Sequence, residues 1–322
     1  MEELQRWTHS TGMVAQGNAA LDDRLYLTAG VRVERNEALA VDHRYAVLPV
    51  LGAAWVMESG GATLKLRGAY GKGMRPVGTP GREQAWRMHA HLWNLAPEEQ
   101  SGVEAGFDLD WRGRLTLQVT GFDQRASGLV QRVSLPAETV EGTRQRTRYQ
   151  LQNVGEITNR GWELQGSAEL GPVSLVGAMS FVDSRVRRVA AGYGGDLRTG
   201  DRMLEVPALT LSGTAAYRAQ GWTAALTGYR AFDWINYDRL ALARDFQART
   251  RPAWEMAGPG LRGYWRRYDG VPRLNATATL DPPRGTVLVL TADNLLDRQR
   301  GEPDNLTIVP GRTLLLGLRA AF

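Results

Sequence analysis

From Leu25 to Arg35 the chain alternates without a break. Leu25, Leu27, Ala29, Val31 and Val33 fall on one side of an extended strand, and Tyr26, Thr28, Gly30, Arg32 and Glu34 fall on the other. The same period of two runs through Ala62 to Lys72, with Leu64, Leu66 and Tyr70 on the apolar side. In Ser101 to Trp111, Val103, Ala105, Phe107, Leu109 and Trp111 oppose Gly102, Glu104, Gly106, Asp108 and Asp110. The last stretch, Gly311 to Phe322, sets Leu314, Leu316, Leu318, Ala320 and Phe322 against Thr313, Leu315, Gly317, Arg319 and Ala321. Leu4 to Ala19, Ala46 to Met57, Arg114 to Val133, Tyr149 to Leu170, Val173 to Asp183, Ala208 to Tyr217, Trp222 to Asn236, Pro272 to Leu280 and Thr286 to Asp293 complete a set of thirteen expected strands. Short turns, such as Arg112-Gly113, Gly171-Pro172 and Ala219 to Gly221, alternate with long connections. The longest connection expected is a loop from Tyr237 to Arg267.

Three carboxylates on one face of Ser101 to Trp111 would be costly to bury in a dry core, whereas a water-filled lumen accommodates them. With the alternation of short turns and long loops, and with Trp111 and Trp222 beside short turns, the pattern predicts an all-β fold. It is an antiparallel up-and-down transmembrane β-barrel occupying 1–322 as one unit. Composition adds limits. No run of about 18 apolar residues exists, so a helical membrane protein is excluded, while a mean hydropathy of −0.33 is compatible with strands that hide apolar residues by alternation. The absence of cysteine removes disulfide frameworks, zinc clusters and thiol catalysis, and suits passage through an oxidising periplasm. The net charge of +5 is almost wholly arginine, spread singly rather than clustered, which argues against nucleic acid as a partner. The opening MEELQRWTHSTG has no basic region followed by an apolar one, as a signal peptide would. Closed single-chain bacterial barrels almost always have an even number of strands, so an odd count leads to the expectation that an N-terminal partner is missing.

Specific stretches then point to a family. Leu25-Tyr-Leu-Thr-Ala-Gly-Val-Arg32, Leu66-Arg-Gly-Ala-Tyr-Gly-Lys-Gly-Met-Arg-Pro76 and Asn94-Leu-Ala-Pro-Glu98 with Glu104-Ala-Gly106 resemble, in order, three strand motifs of the TonB-dependent outer-membrane receptors. Asn153-Val-Gly155 with Gly161-Trp-Glu163, and Asp293-Asn-Leu-Leu-Asp297 with Gly311-Arg312 and the terminal Phe322, are similar to the family's return strand and ending. Such receptors build about 22 strands around a plug. The resemblance therefore implies the C-terminal part of that barrel, without the plug domain and its TonB-engaging segment, in the outer membrane of a Gram-negative bacterium. It also implies uptake of an iron-siderophore, a cobalamin-like compound or another scarce nutrient, with membrane lipid and the cargo as partners, and TonB only through the missing plug. A passive porin-like or structural outer-membrane barrel is the alternative.

Candidate ligand contacts lie in the long connections. His89-Ala-His91 places two imidazoles on one side of an extended segment flanked by Trp86 and Trp93, but two histidines fall short of the three or four ligands of a metal site. Arg75, at the exit of the fourth strand, joins them as a candidate. In the longest loop, Trp254, Tyr264, Trp265 and Arg266, with Arg267, have the chemistry to stack on and neutralise an anionic aromatic ligand. They would equally anchor a loop at lipid headgroups. Gly71-Lys-Gly73 lacks the third glycine and helix of a phosphate-binding loop. The lumen carboxylates Glu104, Asp108, Glu163 and Glu169 have the spacing of any polar strand face. With no nucleophile, base and orienter together, neither an enzyme nor a cofactor is expected.

Overall fold

The computed structural model describes residues 10–36, 45–75, 95–135, 148–281 and 286–320. Among the described residues there are seventeen strands, thirteen of them in one antiparallel sheet. These thirteen are β1 (Ser10–Leu21), β2 (Leu25–Asn36), β3 (Tyr45–Ser59), β4 (Ala62–Arg75), β5 (Glu98–Trp111), β6 (Leu115–Ser127), β9 (Gly155–Leu170), β10 (Val173–Val189), β11 (Leu209–Ala219), β12 (Trp222–Phe232), β15 (Arg273–Leu280), β16 (Thr286–Asp293) and β17 (Thr313–Ala320). Each inner strand is hydrogen-bonded to the sheet strands before and after it in the chain, and β1 and β17 each to one, so the order is a simple meander.

Two of the expected strands are each broken in two. Arg114 to Val133 divides into β6 and β7 (Val130–Leu135), and Tyr149 to Leu170 divides into β8 (Arg148–Asn153) and β9. The breaks fall at glycines with positive φ, Gly128 and Gly155. A Cβ on Gly128 would lie 2.3 Å from the Pro97 carbonyl oxygen and one on Gly155 would lie 2.1 Å from that of Arg188, so only glycine fits these corners. β7 and β8 leave the sheet as a separate two-stranded ribbon. The expected strand Trp222 to Asn236 likewise ends at Phe232. Asp233, at φ 54°, turns the chain into β13 (Trp234–Tyr237), which pairs with β14 (Trp265–Tyr268).

The register settles which residues share a face. Leu25, Trp55, Leu66, Phe107, Val119, Leu164, Met179 and Leu211 are successive cross-strand partners, an apolar row across eight strands. On β9 this face is apolar from Leu170 to Trp162, about 26 Å along the strand and about 20 Å along a bilayer normal at the usual barrel tilt. Beyond Trp162 and Phe181, on the side of the long connections, it turns ionic, with Arg160 Nε 2.8 Å from Asp123 and Arg125 Nη2 2.6 Å from Glu156. An apolar belt of that height ending in paired charges fits a hydrocarbon slab bounded by water. The opposite face is polar. Arg67 Nε lies 3.0 Å from Asp108 and its Nη2 donates to Thr120 Oγ1 at 2.6 Å, while Gln124 Nε2 donates to Glu104 at 3.1 Å. Neither face has a packed core. The buried cluster, Ala126, Val154, Ile157, Val186 and Leu197, lies where the long connections gather.

Introducing arginine on the two faces of β9 tests this register. Leu164→Arg places a cation in the apolar belt and is expected to cost about 2 kcal/mol or more, whereas Gln165→Arg on the polar face is expected to be nearly neutral. Urea titration of the chain folded into liposomes reads both, and equal losses would overturn the face assignment.

Candidate functional site

The long connections at one end of the sheet fold on one another. The segment expected as one loop from Tyr237 to Arg267 contains helix α1 (Arg239–Ala248), two 3-10 turns (Ala253–Met256 and Gly258–Tyr264) and part of the β13–β14 ribbon. Helix α1 begins where Asp238 accepts the Ala241 backbone N–H at 2.9 Å, a side-chain N-cap that the sequence Asp-Arg-Leu-Ala supplies. Burial opposes the charge of Asp238. The N–H of Ala241 and the side chains of Asn305 and Arg266 outweigh it and hold the carboxyl below the usual range.

Asp196, in the connection after β10, joins three of these elements. Its Oδ2 accepts from the Tyr237 hydroxyl at 2.8 Å and from Trp265 Nε1 at 2.7 Å, and its backbone carbonyl accepts from Arg262 Nη1 at 3.1 Å. Arg262 Nη2 in turn donates to Asp201 Oδ1 at 2.7 Å, and its guanidinium sits 4.3 Å over the Trp265 ring. Asp201 is disfavoured by burial, but hydrogen bonds and charge from Arg262 keep its carboxyl below its ordinary pKa. The β13–β14 ribbon is tied by Trp234 stacked on Tyr268, 5.8 Å between centroids, and by Trp234 Nε1 donating to the Pro303 carbonyl at 2.9 Å. Gly258 N donates to Ser134 Oγ at 3.2 Å and links the 3-10 turns to β7.

Between the β7–β8 ribbon and α1 these contacts frame a cavity of about 470 Å³. Leu242, Phe246, Met256 and Leu261 form its apolar side, and Tyr149, Tyr193 and Tyr237 its aromatic one. Burial first, then the nearby Asp196 charge, pushes the Tyr193 phenol up to about 12, and the same two causes raise Tyr237. Both phenols therefore stay protonated, and both already donate: Tyr193 to Gln131 Oε1 at 2.8 Å, and Tyr237 to Asp196. Among the described residues no group of three or more histidines, cysteines and carboxylates is placed to hold a metal ion.

The residues expected from sequence are distributed differently. Trp86, His89, His91 and Trp93 lie outside the described residues. Arg75 is exposed at the end of β4, its Nε 3.1 Å from Glu98. Trp254 is 63% exposed and does not line the cavity. Tyr264 is buried, with its hydroxyl donating to Asp245 at 2.8 Å, and Arg266 lies 3.3 Å from Asp238. Tyr264, Trp265 and Arg266 thus make internal contacts that hold the assembly together. The residues that do line the cavity include Gln131, Arg132 and Tyr149 of the ribbon. The signal available for them was the pair of glycines that break the strands.

Comparison with known proteins agrees with this architecture. Residues 6–295 match the family described as TonB dependent receptor-like, beta-barrel. A curated relative, TonB-dependent receptor P26 of Formosa agariphila, is 26% identical over 45% of this chain and 17% of its own length. Among solved structures, the siderophore receptor PirA from Acinetobacter baumannii superposes with a TM-score of 0.67 at 12% identity, covering 98% of this chain and 46% of that one. The copper transporter OprC does so with a TM-score of 0.63 at 15% identity, covering 95% and 47%. The chain spans about half the length of these solved structures.

Two outcomes follow for the assembly. Asp196→Ala leaves the half-buried Tyr237 hydroxyl and Trp265 N–H without their acceptor, at a cost of about 1 kcal/mol each. Hydrogen exchange should rise in 234–268 while β9 and β10 stay protected. Tyr193 and Tyr264 titrate near 12 in the folded chain against 10.0 as the ordinary value, so their contribution is complete below about pH 10 and lost as pH rises toward 12. Phenolate absorbance should therefore rise later in the folded than in the urea-unfolded chain, and coincident curves would contradict the buried placement.

Proposed function

Because this chain belongs to the TonB-dependent receptor β-barrel family, we propose that it forms the C-terminal part of an outer-membrane receptor wall that takes up a scarce nutrient. The observation that carries this is the two-faced sheet, one face apolar over about 20 Å and the other polar, with a cavity enclosed by the described connections after β6, β10 and β12 at one end. Short turns close the opposite end. In this reading the cavity end faces the medium and meets cargo first. The similar structures include a siderophore receptor and a copper transporter, which supports a metal-linked nutrient as cargo. The plug through which TonB acts is contributed from outside 1–322.

Two measurements test the reading. The natural sequence contains no cysteine, so single cysteines report without background. Gln247→Cys and Arg251→Cys are expected to react with an impermeant maleimide on intact cells, and Ser59→Cys and Gln220→Cys only after the outer membrane is opened. Iron-starved cells carrying the barrel with its plug supplied are expected to accumulate a ferric siderophore only while TonB is present. Accumulation independent of TonB would make the barrel a passive pore, and a mixed labelling pattern would overturn the orientation.

A further inference from the structure

The charged groups around the cavity are held in different ways. Asp196 is buried and accepts from Tyr237 and Trp265, and Arg239 is paired with Asp304 at 3.1 Å and Glu205 at 3.6 Å. Arg132 differs. Its guanidinium lies 3.8 Å over the Tyr149 ring, and it has no carboxylate or other hydrogen-bond acceptor among the described residues. The Tyr149 hydroxyl likewise has no protein partner among the described residues. Among the described residues the cavity wall thus offers one cation with open donors and one open hydroxyl on the ribbon side, opposite the apolar residues Leu242, Phe246 and Met256. We propose that this cavity binds a small amphipathic organic monoanion, its carboxylate or equivalent group against Arg132 and Tyr149 and its apolar body against α1.

Stacking on Tyr149 keeps the planar guanidinium in place while leaving its edge donors free, the geometry in which arginine meets a carboxylate through two hydrogen bonds. A volume of about 470 Å³ is within the range of small-molecule pockets, which pair a mainly apolar lining with a few convergent polar groups. A bare metal cation is disfavoured, because the Tyr193 and Tyr237 phenols stay protonated and the carboxylate of the wall, Asp196, already accepts from Tyr237 and Trp265. The inference rests on the cavity end being the ligand-facing end. A metal-linked cargo would then be recognised through its organic part.

Calorimetric titration of the full chain in detergent micelles with 2-naphthylacetate, 2-naphthylethanol and 2-naphthylethylamine tests the inference without any uptake step. The acid should bind about tenfold or more tightly than the alcohol, and the amine most weakly, as a charge-assisted pair requires. Arg132→Gln should abolish the preference for the acid and leave the alcohol unchanged, Arg132→Lys should retain part of it, and Phe246→Ala should weaken acid and alcohol alike. Arg319→Gln, at the far end of the sheet, should change nothing. Equal affinity for the three probes, no binding of any, or an acid preference that survives Arg132→Gln in a chain of unchanged circular dichroism would overturn the proposal. Acid binding in a chain that supports no nutrient uptake would leave the cavity assignment standing and remove the transport reading alone.

Discussion

The constraint on which this molecule depends is that backbone amides and carbonyls must be paired wherever water is absent. In hydrocarbon each unpaired group costs several kcal/mol, so a strand is tolerated only with a neighbour on both sides. From β2 to β16 the meander meets that condition. Its outermost strands differ, since among the described residues β1 pairs only with β2 and β17 only with β16. With thirteen strands both edges run toward the short turns, so a strand pairing antiparallel with either one must run toward the long connections. A second copy inserted in the same sense offers edges of the wrong direction. An odd number of additional strands satisfies both edges at once.

The faces of the sheet do not form a core among the described residues, and ordinary packing lies among the long connections at one end. There the buried residues are held by polar pins as much as by apolar contact. Asn153 shows how. Its side chain donates to the carbonyls of Ala96 at 3.0 Å and Gly128 at 2.6 Å and accepts from the Ala96 N–H at 2.9 Å, so one amide fixes the entry to β5 against the corner where β7 departs. Asn294 does the same after β16, bonding the carbonyls of Arg298 and Pro310, while Asp297 accepts the Arg312 N–H at 2.9 Å. Both asparagines belong to motifs that carried the family resemblance. They position corners, and the corner held by Asn153 is where β7, which lines the cavity, departs.

Asp196 and Arg132 show two uses of charge within the same few residues. The carboxylate is enclosed by donors, which a desolvated anion requires. The guanidinium is exposed and stacked on Tyr149, and among the described residues it has no acceptor.

The alternation of Leu25 to Arg35, Ser101 to Trp111 and Thr313 to Arg319 determined the strands, their faces and the placement of carboxylates on the polar face, because a period of two in side chains maps directly onto two sides of a sheet. Strand number and the alternation of short turns with long connections were legible for the same local reason. The ends of strands were not. Arg114 to Val133 and Trp222 to Asn236 keep a strand-like composition past the point where Gly128 and Asp233 take the backbone out of the sheet, and alternation cannot register a change of direction. Nor could the aromatic and basic residues of 237–267 be sorted by type. Tyr264, Trp265 and Arg266 became internal partners and Arg132, read as an ordinary strand residue, came to the cavity, because which side chain finds a partner depends on segments far apart in the chain. Only the tertiary structure brings those segments together.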